Sequence, residues 1–169
     1  IKKAGIDPHE IGSIAISSQR GTFFAIDKDW NPIEDAIVWS DVRATKEAQW
    51  VGSHFGIDKY YGIAASAMTP GFSYSKFKWV RDNRPDLYDK AYLFVNGQEW
   101  LLHQLGSEEV FTDPSSLAMN GMMDVAKLDW SDELLDAINV SRDKLPPVKQ
   151  PARQVGGVSK KASELTGFA

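Results

Sequence analysis

Two short apolar runs, Ile11–Ile16 and Phe23–Ile26, stand on either side of the polar segment Ser17-Ser18-Gln19-Arg20-Gly21-Thr22. Short apolar runs bounded by turn formers read as buried strands. A third such run, Ala36-Ile37-Val38-Trp39, follows the turn Asp27–Pro32, which is rich in Asp, Asn and Pro. Ala91–Val95 carries the same signature, and Val155-Gly-Gly-Val158 reads as a turn and short strand. The polar dipeptide Gln19-Arg20 falls where one strand hands over to the next, a place from which side chains leave a sheet.

Helices are expected between these runs. Ser40 is positioned to cap a helix from Asp41 to about Val51, and Ser73–Asn83 is ended by Pro85. Asn96 caps Gly97–Leu105, Asp113 precedes Pro114–Ala118, and Ser131 and Ser159 open the last two helices. Asp7-Pro8-His9-Glu10 starts a short turn. Tyr60–Gly71, with Gly62, Pro70 and Gly71, reads as a loop. Strands and helices alternating without repeats define an α/β class.

The 169 residues suit one domain with a real core. A net charge of -4 argues against a general nucleic-acid or anionic-membrane binder, which needs a basic face. With no cysteine, disulfides and thiolate metal sites are excluded. His9, His54 and His103 have no second ligand at metal spacing, so zinc is not expected. No G-x-S-x-G, Walker A or G-x-G-x-x-G stretch occurs. Nor does any apolar run reach membrane-span length.

Five stretches in order, AISSQRGTFFAID, AIVWSDVRA, MTPGFSYSKFKWVRDNRPDLY, TDPSS…NGMMD and LDWSDELLDA…LPPV, carry a resemblance. Together they resemble the FGGY family of carbohydrate kinases, most like xylulokinase in texture and also similar to glycerol kinase and the autoinducer-2 kinases. The resemblance implies a partial ribonuclease H-like, actin-like ATPase domain lacking its first strands. Residues 1–169 would be the sugar-binding part of the N-terminal domain. The family's D-x-G-T hairpin, its catalytic Asp and its nucleotide-binding C-terminal domain are not matched here. The fragment alone is therefore expected to be inactive. In the full-length enzyme the resemblance implies ATP and Mg²⁺ as cofactors, a small-molecule sugar substrate, a cytoplasmic location and a possible homodimer.

A sugar site needs amides, Arg, carboxylates and an aromatic face. The resemblance assigns substrate binding to Gln19, Arg20, Trp39, Asp41, Arg43, Met68 and Asp113. Glycerol kinases read Q-R-E-T and xylulokinases G-Q-M-H where this chain reads Gln19-Arg20-Gly21-Thr22. Gly21 in place of a Glu removes a carboxylate and opens volume, which favours an acceptor longer than glycerol.

Each residue also has a plainer use. Arg20 pairs with a surface acid; Trp39 joins the core; Asp41 sits at a helix start; Arg43 only pairs with Asp41. Asn96 and Asp113 cap helices. Met68, Pro70 and Gly71 form an ordinary turn, and Lys76 lies on a solvated helix face. Two rival functions follow: a carbohydrate-binding module, with Trp30 as its exposed platform, or a degenerate kinase-like domain. Lys2-Lys3-Ala4-Gly5 reads as the last turn of a helix, and the chain is expected to be a piece of a longer protein.

Overall fold

The computed structural model describes residues 2–107 and 109–168. Two antiparallel strands, β1 (Phe23–Ile26) and β2 (Leu93–Asn96), form the central ladder, with Phe23 opposite Asn96 and Ile26 opposite Leu93. Phe23 stacks on Phe77 at 4.3 Å, and Phe94 meets both rings edge-on. Each such pair contributes about 0.5–1.5 kcal/mol beyond its buried area. That aromatic knot fixes which face of the ladder turns inward.

Helices α1 (Thr45–Val51) and α2 (Ile57–Ala64) are joined through a π turn at Gly52–Gly56. Helix α3 (Ser73–Asn83) crosses the core, and α4 (Pro85–Lys90) follows its end. After β2 come α5 (Gly97–Leu105) and α6 (Pro114–Ala118). A small hairpin, β3 (Met123–Asp124) and β4 (Asp129–Trp130), leads to α7 (Asp132–Ala137), and α8 (Lys160–Thr166) closes the described chain. No helix among the described residues is long and apolar enough to cross a membrane.

Capping chemistry sets several of these boundaries. Asp113, Ser131 and Ser159 each accept from backbone N–H groups of the first turn. At α5 the Glu99 carboxylate reaches back to the Asn96 N–H at 2.6 Å, one arm of a capping box. At the start of α1 the expectation fails. Ser40 does not cap, because Asp41 uses its carboxylate on the Arg43 N–H at 2.8 Å and holds the chain in a turn until Thr45.

Tyr60–Gly71 is also not all loop. Its first five residues belong to α2, because Tyr60 and Ala64 lie one turn apart and bury together. Tyr60 stacks on Tyr74, donates to the Gly121 carbonyl at 2.9 Å, and burial pushes its hydroxyl up to about 12. Ile11–Ile16 and Val155–Val158 form no ladder among the described residues. Both runs line one cavity of about 450 Å³, and a strand needs a hydrogen-bonded neighbour to count as one. Ala36–Trp39 is reduced to one bridge, Ile37 to Phe23.

Candidate acceptor-binding groove

The strand-leaving segment before β1, the turn after Ile37 and the loop before α3 converge on a groove of about 360 Å³. Arg20, Gly21, Trp39, Ser40, Val42, Thr69, Gly71, Phe72 and Met119 line it. Gly21 turns at φ +70°, the left-handed region in which glycine is at ease. A Cβ there would come within 3.6 Å of the Trp39 Cβ, and one on Gly71 within 3.4 Å of the Trp39 carbonyl. Both glycines therefore press their backbones against Trp39 and keep the space beside it clear.

Trp39 is not a core residue: it is 56% exposed. Its N–H donates to Thr22 Oγ1 at 3.1 Å, so its backbone is tied while its ring stands free. Arg20 is exposed and donates to Ser115 Oγ at 3.2 Å. One cation and one indole on a single groove provide a hydrogen-bond fork and an apolar face, the two contacts a polyol offers in return.

The other expected residues take different places. Gln19 is exposed on the segment leading into Arg20. Asp41 and Arg43 pair at 2.7 Å beside the groove, and the Arg43 guanidinium also lies 4.8 Å from the Trp79 ring centroid. The hydrogen bond from Arg43 holds the Asp41 carboxyl below the usual range. Met68 packs partly buried against the core. Asp113 caps α6 and accepts from Gln98 at 2.9 Å, at the rim of the larger cavity. Arg20 and Trp39 thus share the groove, and Ser115 links Arg20 to the helix that Asp113 caps. Asn96 lies buried at the head of α5, against Glu99.

Lys76 corrects an expectation. It is fully buried, not solvated, and its Nζ donates to the carbonyls of Val38 at 2.7 Å and Trp39 at 3.1 Å. Trp30, expected as an exposed platform, is half-buried and stacks on His103 at 4.0 Å. Thr69, Phe72 and Val42 were within reach of sequence reasoning because they adjoin residues already singled out. Met119 also adjoins the singled-out stretch NGMMD, but nothing in that stretch marks a groove wall.

Among the described residues no group of three or more His, Asp or Glu is placed to hold a metal ion. The groove's single charged group is cationic, and its walls are otherwise neutral. The donor set therefore does not fit a Mg²⁺–nucleotide complex.

Known proteins share both sequence and architecture with this chain. A glycerol kinase from Thermococcus kodakarensis is 35% identical over 173 residues, covering 99% of this chain and 33% of that protein. A xylulose kinase from Staphylococcus xylosus is 26% identical over 160 residues, covering 95% of this chain and 33% of that protein. The crystal structure of a gluconate kinase from Lactobacillus acidophilus superposes with a TM-score of 0.83 at 21% identity, over 96% of this chain and 34% of that one. The chain thus spans about a third of the length of the relatives it matches. Its mixed helix-and-strand architecture is the N-terminal part of the actin-like ATPase fold seen in such kinases. The family model for the FGGY family of carbohydrate kinases, N-terminal domain, matches residues 1–169, and the chain belongs to that family.

Proposed function

We propose that this chain is the sugar-binding part of a cytoplasmic, ATP-dependent carbohydrate kinase that phosphorylates a hydroxyl of a ketose or polyol. The observation that carries the reading is the groove where the exposed Trp39 ring and the Arg20 guanidinium face one space beside two glycines. The indole covers the C–H face of the acceptor and Arg20 accepts the role of donor to its hydroxyl oxygens. Gln19, Asp41 and Arg43 extend the polar rim, Met68 supports the loop that carries Gly71, and Asp113 sets the helix against which Arg20 is braced.

Phosphoryl transfer depends mainly on positioning and charge neutralisation. This part orients the acceptor. The groove lining holds no carboxylate for Mg²⁺, so ATP and Mg²⁺ are assigned to the rest of the longer protein, together with the base for the attacking hydroxyl. The 169-residue chain by itself is accordingly expected to be inactive. The space left by Gly21 and Gly71 favours an acceptor longer than glycerol.

The test is ATP-dependent phosphorylation by the full-length protein across glycerol, pentuloses, hexuloses, pentitols and sugar acids. Turnover of at least one, with none from the 169-residue chain, is expected. A full-length protein that binds sugars without phosphorylating any would mark a degenerate kinase instead.

A further inference from the structure

Lys76 is a fully buried cation near the N-terminal end of α3, and its contacts lead to the groove rather than to a carboxylate. An ammonium withdrawn from water is retained where its donors are satisfied. Here both hydrogen bonds go to consecutive carbonyls of one turn, those of Val38 and Trp39. Asp41, two residues further along the same turn, favours the charged form, and Arg43 opposes it. Desolvation nevertheless pulls the ammonium down to about 8.

The turn is tied elsewhere too. The Trp39 N–H donates to Thr22 Oγ1, and the Asp41 N–H donates to the Val38 carbonyl at 3.0 Å. Both backbone polar groups of Trp39 are therefore engaged while its ring is exposed. A large aromatic on a pinned backbone is ordered at folding rather than at binding, which lowers the entropy lost when a ligand arrives.

The geometry points to Lys76 as a positioning residue of the acceptor groove: a buried cation that fixes the Val38–Asp41 turn so that the Trp39 ring stands over the bound acceptor. It touches no substrate and acts through Trp39. An apolar residue in its place would leave the Trp39 carbonyl without a donor and the Val38 carbonyl with the Asp41 N–H alone, and the turn would relax toward water. This inference rests on the acceptor-groove reading above.

The experiment is steady-state kinetics on the full-length protein with Lys76→Met, which removes the donors while keeping length and bulk. The acceptor KM is expected to rise on the order of tenfold with the ATP KM unchanged, as a misplaced positioning group would cause. In a double-mutant cycle the same substitution in a Trp39→Ala background is expected to change the acceptor KM by less than about twofold, because the two residues act as a unit. An acceptor KM equal to wild type in folded Lys76→Met, an equal rise in both KM values, or the same effect in both backgrounds would overturn the proposal. Should Lys76→Met not fold, Lys76→Gln, which keeps an uncharged N–H donor group on a shorter side chain, is expected to give an intermediate rise, and an unchanged acceptor KM there would overturn it equally. If the wild-type protein neither binds nor phosphorylates any acceptor, the groove reading falls and takes this inference with it; if it binds without phosphorylating, the acceptor Kd replaces the KM with the same expectations. Activity in the wild type with no KM split in the variant sinks the role of Lys76 alone.

Discussion

The Arg20 guanidinium donates to the Ser115 hydroxyl at 3.2 Å, while the Ser115 N–H is held by the Asp113 carboxylate at 2.9 Å. The segment before β1 is thereby braced on the first turn of α6. Arg20→Ala in the full-length protein is expected to raise the acceptor KM ~10-fold or more, the scale of a lost charge-assisted hydrogen bond, with little change in the ATP KM. An acceptor KM that stays put would remove Arg20 from the site.

Gly71 has no left-handed backbone, so a side chain there is tolerated, although its Cβ would lie 3.4 Å from the Trp39 carbonyl. Gly71→Tyr is expected to fill the groove and shift the kcat/KM ratio toward short acceptors by about tenfold, the reach of a steric change in a pocket. Relative kcat/KM for a triose polyol and a pentulose checks this; an unaltered ratio would show that the acceptor lies elsewhere.

Tyr60 and Gly121 stabilise the core rather than the groove. Tyr60→Phe leaves the Gly121 carbonyl without its buried donor and is expected to cost about 1–2 kcal/mol in denaturant unfolding. Gly121→Ala is expected to cost more, because φ is +70° and a Cβ would sit 2.5 Å from the Tyr60 hydroxyl. Equal midpoints for the two variants would contradict the close approach.

Asp113 gives a pH signature. Burial works to raise its carboxyl, yet hydrogen bonds from Gln98, Ser116 and Ser115 hold it below the usual carboxylate value. A depressed folded value means its contribution is present above the unfolded value, near pH ~4, and is lost as pH falls through the folded one. Wild type is therefore expected to melt higher than Asp113→Asn at neutral pH, with the gap closing in acid. A gap that persists unchanged to low pH would exclude the carboxylate's charge as the cause.

Local signals were legible where a periodic stripe and a breaker coincide. Ser73–Asn83 carries its inward stripe and its Pro85 stop, and the helix occupies those bounds. The resemblance also pointed to Arg20 and Trp39, which share one groove. Ile11–Ile16 misled because apolar content reports burial tendency, whereas a ladder depends on a partner that sequence-local reasoning does not supply. Tyr60–Gly71 misled because Gly62 hides the helical stripe of Tyr60 and Ala64.

Lys76 is the most instructive of these. Ser73, Lys76, Phe77 and Val80 form the inward stripe of α3 at three- and four-residue spacing. Its burial follows from that stripe, which the solvated-face reading assigned to the wrong side of the helix. A Lys on an apolar stripe signals carbonyls that need a donor.

The two glycines beside Trp39 separate two tasks that proteins often tangle together. The core aromatics Phe23, Phe77 and Phe94 lie outside the set of residues that line the groove. Variation confined to Gly71 and Met119 would therefore alter the shape offered to an acceptor while leaving that aromatic core alone. A small combinatorial library at those two positions is a practical route to retargeting this scaffold, with solubility and expression expected to hold across most of its members.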